Sequence, residues 1–230
     1  MRRLGGVTLG GGVWDRRGSW RSVPFAAIDL ETTGLDPERD AIVSFGVVPV
    51  DRGQARLDRA VSRVVDPGRP MSPDVVAIHG IRPRDLDGAA PLAHLRDDLR
   101  SALEGRVVVA WTSWVESAFL ARALGGTARA WSRRIVDVRR LAILEDHLAG
   151  RNPSPAVSAS LGATAERFGV PPDRAHHALW DAFVTAQLLL VVATRLERRG
   201  RGRLGALVAA GTGRVPLDPR RPPAPSVTPG

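Results

Sequence analysis

The sequence predicts one α/β domain built on a mixed central sheet with helices packed against it. Three observations point there. Strand-like segments follow one another over residues 25–31, 41–50 and 56–65. Beyond residue 72, helical periodicities alternate with short apolar strands, the pattern of helices laid on a sheet. The chain has 230 residues, 43% of them hydrophobic, enough to bury one sizeable core.

Taken in order, residues 1–21 are Gly- and Arg-rich without a period and predict an irregular lead-in. Phe25 to Glu31 is apolar up to Asp29 and predicts the first strand; the segment Asp36 to Asp40 is a turn. Ala41 to Val50 is apolar and β-branched, a second strand. Arg52-Gly53-Gln54 makes a hairpin-like connection to a third strand over 56–65, which Asp66-Pro67-Gly68 ends. Ser72-Pro73 opens a short helix as N-cap and first residue, closing at His79-Gly80. Leu92, Leu95, Leu99 and Leu103 carry a helix over 91–103. Val107-Val108-Val109-Ala110 is a buried fourth strand, followed by a helix from Trp114 to Leu124 that Gly125-Gly126 closes. Ile135-Val136 predicts a short strand, Val138 to Leu148 a helix, 149–157 a loop, and Ser160 to Phe168 a helix ending at Gly169. The last helix spans about 175–195, with Leu179, Phe183, Ala186, Leu190 and Ala193 as its core-facing stripe. From 197 to 230 the chain is rich in Arg, Pro and Gly and predicts a tail with little fixed structure, leaving 22–196 as the domain.

Composition narrows the chemistry. There is no cysteine, which excludes disulfides and thiolate metal sites. No uninterrupted apolar run approaches the ~18 residues of a membrane span, and Asp15-Arg16-Arg17 breaks up the segment after Met1-Arg2-Arg3 where a signal peptide would need an apolar stretch. The expectation is a cytoplasmic protein with no membrane partner. The net charge is +9, carried by the two ends while the middle is near neutral. Basic ends suit phosphate contacts with nucleic acid and equally suit solvated tails.

Asp29 and Glu31 stand two residues apart at the end of the first strand and project from one face. Two adjacent carboxylates repel; a hard divalent cation between them removes the repulsion. The pair by itself also fits two solvated acids ahead of the turn at Thr32-Thr33-Gly34. Asp181 lies within the apolar pattern of the last helix and needs a partner there. His176 precedes it by five residues; on one helix the two would point ~140° apart, so both reach one site only if His176 precedes the helix. Glu116 opens the helix after the fourth strand, where the helix dipole also favours an acid.

The order Asp29-Leu30-Glu31-Thr32-Thr33-Gly34, Ile78-His79-Gly80-Ile81, a Val-Ala strand followed by an acid, and His176-His177-Ala178-Leu179-Trp180-Asp181 resembles the DEDDh 3′–5′ exonucleases. That group includes the proofreading epsilon subunit of bacterial DNA polymerase III and related ribonucleases. The likeness covers Phe25 to Leu196. It departs in the middle motif, where Trp111-Thr112 replaces a His-Asn pair, Val115 a Phe, and Glu116 the usual Asp.

The resemblance implies a ribonuclease-H-like fold and hydrolysis of single-stranded DNA or RNA from its 3′ end, DNA favoured, to nucleoside 5′-monophosphates. It implies two ions, Mg²⁺ or Mn²⁺, held by Asp29, Glu31, Asp181 and Glu116, clamping the attacking and leaving oxygens. His176 is then the general base, with Thr32, His79 and Asp74 near the substrate. A DNA polymerase subunit is the candidate protein partner. Two alternatives stay open: an exoribonuclease, and a catalytically degenerate nucleic-acid-binding protein on the same fold.

Overall fold

The structure is a computed structural model that describes residues 6–9, 12–171 and 177–214. A two-stranded hairpin, β1 (Gly6–Leu9) with β2 (Gly12–Asp15), leads in, and a single helical turn at Trp20–Ser22 follows. The central sheet contains β3 (Phe25–Thr32), β4 (Ile42–Asp51), β5 (Gln54–Ala55) and β6 (Val61–Val64). After α1 (Pro73–His79) and α2 (Leu92–Leu103) come β7 (Val107–Ala110), α3 (Trp114–Leu124), α4 (Ala128–Ser132) and β8 (Val136–Asp137). The chain ends in α5 (Val138–Leu148), α6 (Pro155–Ala159), α7 (Leu161–Phe168), α8 (Ala178–Arg198) and α9 (Leu204–Gly211).

Strand order is β5-β4-β3-β7-β8, with β6 also paired to β4. β3 runs antiparallel to β4 and parallel to β7, and β7 runs parallel to β8, so the sheet is mixed as predicted. It is buried on both faces. On one face Phe25, Ala27, Val48, Val107 and Val109 meet residues of α5, α8 and α9. On the other, Ala26, Ile28, Phe45, Val47 and Val108 meet α2 and α3. Two-sided burial explains why β3, β4 and β7 read as continuous apolar runs rather than alternating ones.

Local signals set the helix boundaries. The Ser72 hydroxyl accepts the Val75 N–H at the start of α1, and Gly80 closes it with φ 71°. α6 begins the same way: Pro155 follows Ser154, whose hydroxyl accepts the Val157 N–H. The loop predicted over 149–157 is therefore a helix from Pro155, and the Ser-Pro signal was present at both places.

Three further expectations are corrected. The third strand predicted over 56–65 is divided, because Arg56 grips Asp58 at 2.8 and 2.6 Å and a helical turn over Leu57–Arg59 separates β5 from β6. Of the stripe predicted on α8, Ala186 and Ala193 are buried but Leu179, Phe183 and Leu190 only half-buried; the buried residues also include Ala178, Ala182, Val184, Thr185, Leu188, Leu189, Val192 and Leu196, more than one face of the helix. α8 is long and apolar enough to cross a membrane, yet it packs on β3, β4, α5 and α7 as the core helix. Finally, part of each basic flank is packed. Trp20 is fully buried beside Phe25, and Leu204, Leu207 and Val208 of α9 are buried on α5 and β8. The flanks also bind each other: Trp20 N–H donates to Gly202 O, Leu204 N–H to Gly18 O and Gly205 N–H to Arg16 O. Two segments lacking a period form this contact, which pattern reading within either one does not reveal.

Candidate active site

The site forms where β3 and the parallel strands beside it end. Asp29 and Glu31 lie on the face that carries Phe25 and Ala27, the face covered by α8. α8 reaches them because of Gly46. This residue is the cross-strand partner of Asp29 on β4. A Cβ built on it would sit 2.4 Å from the backbone of Ala178 and Leu179, inside any van der Waals contact. The first turn of α8 therefore rests directly on the sheet opposite Asp29. Asp181 N–H in that turn donates to His177 O, and its carboxylate comes to the β3 pair. Oxygens of Asp29, Glu31 and Asp181 all lie within 4.8 Å of one another.

The strand end is shaped by the Thr-Thr-Gly turn. Pairing shifts by one residue between Glu31 and Thr32, a bulge that ends the regular ladder. Thr32 Oγ1 donates to Gly34 O, and Thr33 Oγ1 donates to Asp40. A Cβ at Gly34 would stand 2.4 Å from Asp40 Oδ2, so any larger residue there would have to displace the Asp40 carboxylate that holds Thr33 and the Asp36 N–H. Thr32 thus acts on the turn, one residue from Glu31.

Glu116 enters from the opposite helical layer, as the third residue of α3 just beyond the end of β7. It is 4% exposed, and its Oε2 is buried without a hydrogen-bond donor. Its oxygens are not within the three-carboxylate cluster, yet its charge is the second-largest influence on Asp29. Asp137, which sequence reading passed over, lies behind it. Asp137 caps α5 by accepting the Arg140 N–H and accepts the Ser113 N–H at the start of α3. It joins the starts of the two helices, and an Asp directly before a helical pattern is a cap signal that was legible.

Burial dominates the electrostatics. Asp29 retains some exposure, but the protein around it pushes its carboxyl well above the usual range, with Glu116, Glu31 and Asp181 adding to the push. Glu31 is raised to about 7 by burial and then by Asp181. Glu116 is raised to about 8 by burial, opposed by its own amide N–H and reinforced by Asp137. Asp137 is also raised by burial, against the hydrogen bonds from Arg140 and Ser113. Asp29, Glu31 and Glu116, packed together with no cationic side chain among the causes of their shifts, are a hard-oxygen donor set for a divalent cation. The orphan Oε2 of Glu116 fits the same requirement.

The remaining predicted residues fall into three groups. His79 is buried at the end of α1, and its Nδ1 accepts the Ile81 N–H, which places the ring proton on Nε2. Asp74 is exposed in the first turn of the same helix. His177 is exposed and caps α8 without a side-chain bond, and His176 lies outside the described residues. Trp111 is 8% exposed, packed in the α8-side core, and donates from Nε1 to Ala159 O. Trp114 is 56% exposed at the start of α3.

Comparison with known proteins agrees with this geometry. The exonuclease family profile matches residues 26–189. DNA polymerase III PolC-type of Thermotoga petrophila is 29% identical over 190 residues, covering 82% of this chain and 13% of that protein. The DNA polymerase III subunit epsilon-like protein of Rhodobacter capsulatus is 28% identical over 185 residues, covering 80% of this chain and 26% of that protein. The chain thus spans only a minor part of these relatives. Among solved structures, E. coli exonuclease I in complex with a dT13 oligonucleotide superposes with a TM-score of 0.64 at 19% identity, covering 77% of this chain and 42% of that one. The mixed α/β fold predicted from the resemblance is therefore the fold observed. The family match takes in β3, Glu116 and the first turn of α8, and the chain belongs to the exonuclease family.

Proposed function

We propose that this chain is a divalent-metal-dependent 3′–5′ exonuclease acting on single-stranded nucleic acid, with DNA favoured over RNA. The observation that carries the reading is the convergence of Asp29, Glu31 and Asp181 oxygens within 4.8 Å at the end of the central strand of an exonuclease-family chain. The E. coli structure bound to dT13 and the epsilon-like relative support the preference for DNA.

Asp29, Glu31 and Asp181 would hold one cation, and Asp29 with Glu116 a second; Mg²⁺ and Mn²⁺ suit this all-oxygen set. When bound, such ions stabilise charge on the phosphoryl oxygens and lower the pKa of water. His176 accepts a proton from the attacking water, since imidazole titrates near neutral pH. The new P–O bond forms as the P–O3′ bond breaks, which leaves a 3′-hydroxyl on the shortened strand and a nucleoside 5′-monophosphate as product. Thr32, through its turn, and His79 and Asp74 on α1 would border the terminal nucleotide. The exposed Trp114 offers a face on which a base stacks. We place the enzyme in the cytoplasm, with a DNA polymerase subunit as its candidate partner.

The degenerate alternative drew on the altered middle motif. That motive weakens, because Trp111 is a core residue and Glu116 is a buried acid at Asp29. The test is a 3′-labelled single strand incubated with Mn²⁺, in DNA and RNA forms. Release of labelled mononucleotide is expected, faster from DNA. Tight binding without release would overturn the catalytic reading.

A further inference from the structure

At the other end of β3 and β4 lies a cavity of about 600 Å³ with no part in the chemistry above. Its walls include Arg21, Arg52, Arg56, Arg59 and Arg106, with Asp51 as the only acid. Along the strand, Pro24 at its rim stands roughly 17 Å from Asp29, at ~3.3 Å per residue.

Most of these arginines are committed. Arg106 binds Asp51 at 2.7 and 3.3 Å and donates to Phe25 O. Arg56 is held by Asp58, and Arg21 by Glu197 and Thr194. Arg59 reaches only the already engaged Asp51, at 4.0 Å. Arg52 makes no hydrogen bond or ion pair among the described residues. The five guanidiniums together with Asp51, Asp58 and Glu197 leave two positive charges uncompensated.

Arg52 is also placed against backbone preference. It is the one non-glycine residue with positive φ, 52°, among the described residues. With Gly53 at φ 75° it forms the two-residue turn between the paired Asp51 and Gln54. Such turns favour Asn, Asp or Gly at that first position. An arginine there carries a backbone penalty, and the residue lines the cavity. Gly53 in turn lies against Arg21, whose Nη1 would be 3.5 Å from a Cβ.

We propose that this cavity binds a small phosphate-bearing anion of nucleotide size. Guanidiniums from separate elements can each take a different oxygen of one tetrahedral phosphate, whereas the carboxylates they prefer are already present as Asp51, Asp58 and Glu197. Two uncompensated charges match a phosphate dianion. The volume falls within the range for small-ligand pockets and is far larger than one phosphate needs. The concave form, half open to solvent and bordered by Arg52 and the 21–24 segment, favours a compact ligand over a passing strand.

The test is calorimetric titration of the full chain in EDTA with ATP, inorganic pyrophosphate, and an oligo-dT lacking terminal phosphate. Without divalent ions the carboxylate end repels phosphates, so binding there does not interfere. One-to-one binding of ATP and pyrophosphate is expected, weakened at least ten-fold by Arg52→Gly and by Arg59→Gln. Hydrolysis of a labelled strand in Mn²⁺ stays unchanged in both variants. Arg52→Gly suits the turn better than the native residue, so it should melt at or above wild type, and lost binding cannot then be ascribed to unfolding. Absence of heat with both small anions would overturn the proposal, as would undiminished binding in both variants. Binding of oligo-dT alone with the same arginine dependence would reassign the cavity to a nucleic-acid backbone.

Discussion

The two ends of the β3–β4 pair share one sheet and differ in how they treat charge. At the carboxylate end Asp29, Glu31, Asp181 and Glu116 crowd together, and none of the causes shifting Asp29, Glu31 or Glu116 is a cationic side chain. At the cavity end Arg106, Arg56 and Arg21 each meet an acid at ordinary hydrogen-bond distance. Satisfied ion pairs hold the second end together and leave a modest surplus. At the first end burial and neighbouring carboxylates push Asp29, Glu31 and Glu116 up toward their protonated forms, and a divalent cation would take the place of those protons. The contrast teaches that clustered charge marks a ligand site by what remains unpaired after the protein's own partners are counted.

The largest expected effect falls at the carboxylate end. Asp29→Ala, Glu31→Ala and Asp181→Ala should each reduce single-turnover hydrolysis by at least ~10³-fold with the fold intact by circular dichroism, because each removes a candidate metal ligand. Near-wild-type activity in all three would displace the site. Gly46→Ala should match that loss and also lower the melting temperature, since the new methyl has no room beneath Ala178. His176→Ala should cost about 10²–10⁴ in rate, the usual range for a general base. His177→Ala, at an exposed cap, should cost far less, and the reverse ranking would shift the register of that motif.

Proton linkage gives the next test. Glu31 at about 7 and Glu116 at about 8 are both raised above the ordinary Glu value of 4.5. The folded protein therefore holds protons that the unfolded chain releases. Metal-free stability should be greatest below about pH 4.5 from these groups, and this contribution is lost as pH rises through 7 to 8. Glu31→Gln should melt several degrees above wild type at pH 8 and close to it at pH 5, in EDTA. Because a cation competes with the same protons, half-saturating Mn²⁺ for hydrolysis should fall as pH rises from 6 to 8. A flat melting profile in EDTA would show that the carboxylates are solvated after all.

Glu116→Gln should lose at least ~10-fold, and Glu116→Asp should lose activity too if the pocket is built for the longer arm. A gain in Glu116→Asp would mean that the Glu impairs the site. The smallest effect belongs to the cavity end, where Arg52→Gly should leave hydrolysis untouched and raise stability by about 1 kcal/mol, the penalty of a left-handed residue. A loss of hydrolysis there would couple the two ends and break the comparison.

By itself the sequence determined the strands and most of the helices, because their signals are local: apolar runs, Ser-Pro starts, Gly ends. It also determined Asp29 and Glu31 as a pair, since two residues on one strand share a face whatever the fold. Asp181 was legible as an acid in an apolar pattern. Only the tertiary structure decided that it meets the β3 pair, because Gly46, more than a hundred residues away, admits the backbone of α8. The isolated Gly in an apolar strand was visible, but the helix that uses it was not. The same distinction separates Trp111, whose change of type suggested a damaged site, from its actual place in the core beside α6. It also separates the two basic flanks, read singly as unstructured, from the packed contact around Trp20 and Leu204. Local chemistry is written along the chain, whereas a contact between distant segments depends on both partners and on the space between them, which no window of sequence contains.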